Sequence, residues 1–278
     1  MRILDVRYTF EFANKYNSQG NNMAASLVLA QFSIDKENIM TIKLFRGALP
    51  SPRYRLAAAV PHTISGPTPP QLLYKPAKLS FWLNNQYGDC VTAEEAFAKA
   101  CHQPEIFVSD AEVDKWAKQH KVLNGATLVD VLDLMTSKGF QQGAHTYDDG
   151  PHTTVDWTNA AILQNAIAHG PVKIGVAADQ LEAAVPNPPQ NGWFATGFHQ
   201  DDKEDHCVSL CGYGSFSWLA GQLDVQVPQG IDGATPGYGL FTWDSIGIID
   251  YPSMLAITQE AWLRNPVTII QRASPRAA

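Results

Sequence analysis

Seven of the chain's 18 prolines fall between residues 46 and 80 (Pro50, Pro52, Pro61, Pro67, Pro69, Pro70 and Pro76), and this run constrains the fold more than any other feature. Each proline fixes φ at about −65° and removes an amide donor, so the window excludes a helix or a central strand and predicts an extended segment laid over the body. Residues 1–45, ahead of it, show weak periodicity and read as an N-terminal appendage. Beyond it the pattern divides again, into residues 81–170, which read as a helical subdomain, and residues 171–278, which read as an antiparallel β subdomain.

In the helical part, Ala93, Ala96, Phe97, Ala100 and Cys101 recur at helical spacing after Asp89-Cys90, which predicts a helix starting at Cys90 and buried along one stripe. Ser109 followed by Glu112 marks a second helix reaching about His120, and Thr127 caps a third whose apolar face is Leu128, Val131, Leu132 and Met135. A fourth spans Thr158 to Ala168. Strands are expected at Val172–Val176, Trp193–Phe194, His206–Gly212, Gly239–Trp243 and Val267–Ile270, with a hairpin over Trp218–Val227. Helices followed by antiparallel strands define an α+β fold whose two halves face each other across a cleft.

The charge balance narrows the partners. Twenty Lys and Arg against 27 Asp and Glu give a net charge of −7, and no basic run is present, so neither nucleic acid nor an anionic membrane is an expected partner. The most apolar stretches, Ala24–Phe32 and Leu56–Val60, fall well below the roughly 20 residues of a membrane span. The N-terminus, with Arg2, Asp5, Arg7 and Glu11, lacks the apolar core of a secretory signal, so a cytoplasmic location and reduced thiols are expected.

Three residues are expected to complete a thiol-based catalytic set, in the order Cys90, His206, Asp244. Cys90 falls at a helix N-terminus, where unpaired amides and the helix dipole favour a thiolate. His206 opens a strand in which His206, Val208 and Leu210 face one way and Cys207, Ser209 and Cys211 the other. Asp244 follows the strand Leu240-Phe241-Thr242-Trp243, where a carboxylate would take the imidazole Nδ1 proton and fix the tautomer. Cys101 sits on an apolar stripe and is read as core. His199, His206, Cys207 and Cys211 are close in sequence, but alternation puts His206 opposite both cysteines, so no metal is expected and no cofactor is implied.

At these residues the sequence resembles the papain-like cysteine peptidases. Asn84-Asn85-Gln86-Tyr87-Gly88-Asp89-Cys90 is similar to the family's amide, glycine and cysteine run; Asn124-Gly125 resembles its second landmark. Gly170-Pro171-Val172, followed by Asp205-His206-Cys207-Val208 through Gly212-Tyr213-Gly214, resembles the stretch that carries the family's histidine. The resemblance implies a papain-like fold and hydrolysis of peptide or amide bonds in a peptide or protein substrate. It also implies an oxyanion donor six residues before the nucleophile, a Gln in the family and Asn84 here, with Gln86 as the other candidate. Val91 and Trp243-Asp244-Ser245-Ile246 replace two tryptophan-bearing landmarks, and the set is closer to bacterial double-glycine leader peptidases than to papain. Two rival readings use the same residues: a papain-like binding protein without turnover, and a transglutaminase-like enzyme that passes the acyl group to an amine. Residues 1–45 carry no processing signal, which argues against an inhibitory segment covering the cleft.

Overall fold

The computed structural model describes residues 41–265 and 268–271; the appendage expected over residues 1–45 lies, up to residue 40, outside the described residues. In chain order, β1 (Ala48–Leu49), α1 (Arg53–Ala58) and β2 (Leu72–Leu73) precede the helical part. That part comprises α2 (Cys90–Ala100), α3 (Asp110–His120), β3 (Ala126–Thr127), α4 (Leu128–Met135), β4 (Phe140–Gln142), β5 (His145–Asp148), β6 (His152–Thr154) and α5 (Ala160–His169). The remainder is β7 (Val172–Val176), α6 (Asp179–Ala184), β8 (Phe194–Ala195), β9 (His206–Ser215), α7 (Phe216–Gln222), β10 (Pro236–Thr242), β11 (Ser245–Asp250), α8 (Tyr251–Ile257), β12 (Thr258–Arg264) and β13 (Thr268–Gln271). This is the expected α+β layout. No helix of the described residues is long and apolar enough to cross a membrane.

The capping chemistry places the helices. Ser109 Oγ accepts the Glu112 amide at 3.4 Å, Thr127 Oγ1 accepts that of Asp130 at 3.1 Å, and Asn159 Oδ1 accepts those of Ala161 and Ile162. The main sheet runs β6-β12-β7-β9-β10-β11-β8, antiparallel except for the β11–β8 pair, and β2 adds to β9. β9 divides the core by alternation. Cys207 and Cys211 join the cluster built on α2, α3 and α4, whereas Val208 and Leu210 join the one built on α5, β7 and α8. Phe97 of α2 stacks on Phe241 of β10 with ring centres 3.9 Å apart, closing the seam between helices and sheet.

Three expectations are corrected. The proline window does contain a helix: α1 fills the proline-free interval after Pro52, which sits at the N-cap where a missing amide costs nothing, and none of its residues is buried. The hairpin expected over Trp218–Val227 is instead α7, because Ser215 caps the Trp218 amide at 3.3 Å and Phe216, Leu219 and Ala220 are all buried. The helix from Cys90 is buried on every face, not along one stripe. Its Glu94, Glu95 and Lys99 meet a buried ionic network: Glu95 pairs with Lys173 and, at 2.9 Å, with Arg264, while Lys99 Nζ lies 2.6 Å from Asp149. Burial pushes the Glu95 carboxyl up, but Arg264, Lys173 and Lys99 together hold it well below the usual carboxylate range.

Candidate active site

Cys90 is the first residue of α2, as the sequence predicts. Its sulfur receives the backbone N–H groups of Cys207 and Gly47, and burial pushes its thiol up to about 12 despite these donors. His206, whose neighbour along β9 supplies one of those amides, is fully buried. Its Nε2 is 2.8 Å from Thr242 Oγ1, and its ring stacks on Trp243 with centroids 4.2 Å apart and planes 13° from parallel. Nδ1 has no hydrogen-bond partner among the described residues. Burial pulls the imidazole down to about 3, with Asp205 opposing and Arg46 reinforcing the shift. Burial therefore disfavours both the thiolate and the imidazolium.

Asp244 does not orient His206. Trp243 and Asp244 have φ of 43° and 61° and form the two-residue loop between Thr242 and Ser245, which pair across β10 and β11. A loop of this kind needs left-handed residues at both central positions, and Asp tolerates that conformation better than most. The carboxyl is half-buried, and burial with Asp110 nearby pushes it up to about 6. The hydrogen bond to the imidazole comes instead from Thr242, two residues earlier at the end of β10. The β9–β10 register, Leu240 opposite Leu210 and Phe241 opposite Ser209, puts Thr242 on the His206 face. A strand threonine is ordinarily a β-former, so nothing in its type marks Thr242; alternation along Leu240, Phe241 and Thr242 is the signal that puts it on this face.

The two amide candidates separate by burial. Asn84 is buried and its Nδ2 donates to the Tyr87 carbonyl at 3.2 Å, so its amide is engaged within its own loop. Gln86 is exposed. Asp89, which the sequence motifs do not single out, is buried directly before Cys90. Burial pushes it up to about 8, partly offset by its own backbone amide and by the Asn84 side chain.

Residues 42–48 occupy the space over Cys90. Ile42 exchanges both backbone hydrogen bonds with the Asn187 side chain, each at 2.8 Å. The Phe45 amide donates to the Asn84 carbonyl at 3.1 Å, and the Phe45 carbonyl accepts from Trp243 Nε1 at 3.0 Å. The Gly47 carbonyl accepts the Ala126 amide at 3.0 Å, and the Ala48 amide donates to the Asp205 carbonyl at 3.2 Å. Arg46 reaches sideways to three carboxylates, Asp179, Glu182 and Asp205, the last two at 2.5 and 3.0 Å. The segment thus touches both the amide-loop and the histidine sides of the site and forms a strap across them.

The architecture is that of the papain-like cysteine proteases. Among solved structures, the chain is similar to xylellain, a cysteine protease from Xylella fastidiosa, with a TM-score of 0.54 and 13% identity over 82% of this chain and 98% of that one. It is also similar to the ragweed pollen allergen Amb a 11, a cysteine protease in its proform (TM-score 0.54, 10% identity, 77% of this chain and 72% of that one). A mite allergen from a structure comparing Blo t 1 and Der p 1 gives a TM-score of 0.55 at 15% identity, covering 77% of each chain. No family model matches the sequence, and no curated protein matches it significantly.

Proposed function

We propose that this protein is a cysteine-dependent hydrolase of peptide or amide bonds, with Cys90 as nucleophile, His206 as base and Thr242 in the place expected of Asp244. One observation carries the reading. His206 is fixed through Nε2 by Thr242 under the Trp243 ring, so that Nδ1 is left unpartnered on the strand whose next amide reaches Cys90 Sγ. Once the strap is displaced, water returns to the site and the penalty that keeps both groups neutral falls away. The Cys90 proton then passes to His206 Nδ1, and the thiolate adds to the substrate carbonyl. Collapse expels the amine with the proton held by His206, leaving a thioester on Cys90. Water, giving its proton to Nδ1, hydrolyses that thioester to the acid and free thiol. The substrate is a peptide or protein, as it is for the proteases of similar fold.

The test is hydrolysis of fluorogenic peptide amides by full-length protein carrying Arg46→Glu, compared with the same protein also carrying Cys90→Ala. Turnover is expected in the first and a loss of at least about 1,000-fold in the second. Protein whose Cys90 is open to alkylation yet hydrolyses nothing would sink the reading in favour of a papain-like protein without turnover. The engagement of the Asn84 amide with Tyr87 favours that rival. A product bearing an added amine in place of water would assign amide transfer.

Thr242 gives a sharper expectation. Thr242→Val keeps the shape but leaves the buried Nε2 unpaired, a loss of roughly 1–3 kcal/mol. It is expected to lower kcat by about 10–100-fold and to move the imidazole limb of the pH–rate profile, with Thr242→Ser restoring both.

A further inference from the structure

We propose that the cleft over Cys90 recognises peptides in which an arginine is followed by glycine and then a small residue, and that Phe45-Arg46-Gly47-Ala48 lies there as an intramolecular copy of such a ligand. The inference gives a substrate class to the peptidase reading above, and it rests on what each position of the seated segment meets. The arginine position is walled by acid. Arg46 Nη1 bonds Asp179 and Asp205, while Nε and Nη2 both reach Glu182 Oε2, at 3.0 and 2.5 Å. These carboxylates come from α6 and from the loop before β9, and a forked guanidinium spans them where a single ammonium would reach fewer. Lys203 also sits on this wall, 2.9 Å from Asp205, and the three carboxylates outnumber it.

The next position admits only glycine. A Cβ built on Gly47 would stand 1.7 Å from the Gly88 carbonyl oxygen and 2.4 Å from its carbon, both backbone atoms that cannot swing aside. Gly88 is matched to it, since a Cβ there would meet the Arg46 carbonyl oxygen at 2.5 Å. The two glycines therefore press backbone against backbone, one residue short of Asp89-Cys90. The position after it is confined: Ala48 is buried, its amide on the Asp205 carbonyl and its backbone paired with Ala126 in β3. Beyond it the walls end, because Leu49 is 53% exposed. On the other side Phe45 is read through its backbone alone, by Asn84 and Trp243. Selectivity thus concentrates in the three positions Arg, Gly and small. A tethered segment outcompetes a free peptide by its high effective concentration, so the cleft must be vacated before a ligand in trans can bind.

Two full-length variants alter the strap and leave the cleft walls intact: Gly47→Ala, which creates the backbone clash, and Arg46→Glu, which sets a carboxylate against three others. In each, alkylation of Cys90 by iodoacetamide is followed by peptide mass with and without the synthetic octapeptide Lys-Leu-Phe-Arg-Gly-Ala-Leu-Pro. Circular dichroism checks the fold. The octapeptide is expected to protect Cys90, and versions with Glu for Arg or Ala for Gly to protect at least tenfold less well. Equal protection by all three peptides, or none by any, overturns the proposal. So does a Cys90 that stays closed in both variants, because the arginine and glycine positions would then not govern seating. Protection needs no turnover, so a protein that shows this selectivity but hydrolyses nothing would refute the hydrolase reading alone.

Discussion

Arg46→Glu is expected to speed alkylation of Cys90 by about 30- to 150-fold at neutral pH and low salt, with a smaller gain in concentrated salt. The wild-type thiol is 1% exposed and its burial pushes it up to about 12, so reaction requires the strap to lift first. The rate then follows the population of the lifted state. Two of the three partners of Arg46 are well exposed, Asp179 at 62% and Glu182 at 41%, so each contributes only about 0.2–1 kcal/mol. Asp205, at 19%, is tied down by the Ala178 amide and is worth more, as a charge-assisted bond of roughly 1.5–3 kcal/mol. Turning the attraction into repulsion makes a total near 2–3 kcal/mol reasonable, which corresponds to the stated range. The salt dependence follows from the exposure of Asp179 and Glu182, whose fields are screened within about 10 Å at 0.1 M salt. An unchanged rate would mean that the backbone bonds of Ile42, Phe45, Gly47 and Ala48 hold the strap by themselves.

The parts of this fold that the sequence discloses are those decided locally. Ser109, Thr127 and the apolar spacing after Cys90 place three helices because caps and stripes act within one or two turns. Alternation in β9 assigns Cys207 and Val208 to opposite cores for the same reason. What the sequence hides is decided by distant partners. Glu95 and Lys99 lie off the apolar stripe of α2, and only Asp149, Lys173 and Arg264, more than 45 positions away, supply the charges that pair with them. Asp244 reads as the residue that orients the imidazole by its order after the histidine, yet its conformation is spent on a turn, and the hydrogen bond to Nε2 comes from the strand residue before Trp243. The strap is the clearest case. Nothing within Thr41–Ala48 is periodic, and its path is set by Asn84, Asn187, Asp205 and Trp243, each more than 35 positions away in sequence.

Glu95→Gln is expected to destabilise the protein by about 3–5 kcal/mol, which is roughly a fifth or more of the total stability of an ordinary domain. Glu95 is fully buried in the middle of α2 and is shared by two cations, Lys173 of β7 and Arg264 of β12, themselves 0% and 4% exposed. The amide keeps the volume but removes the charge, and both cations lose their principal counter-ion in a place water does not reach. Arg264 retains the carbonyls of Pro171 and Glu94, at 2.8 and 3.2 Å, whereas Lys173 has Glu95 as its ion-pair partner. Lys173→Met is therefore expected to recover part of the loss when combined with Glu95→Gln, giving a coupling energy of at least about 1 kcal/mol in a double-mutant cycle read by urea unfolding. The same contact bears on the chemistry. Glu95 ties the helix that begins at Cys90 to the strand beside β9, so a loosened seam shifts the sulfur relative to the imidazole. A Glu95→Gln protein with wild-type stability would show that the helix–sheet packing around Phe97 and Phe241 holds this seam and that the ions merely fill it.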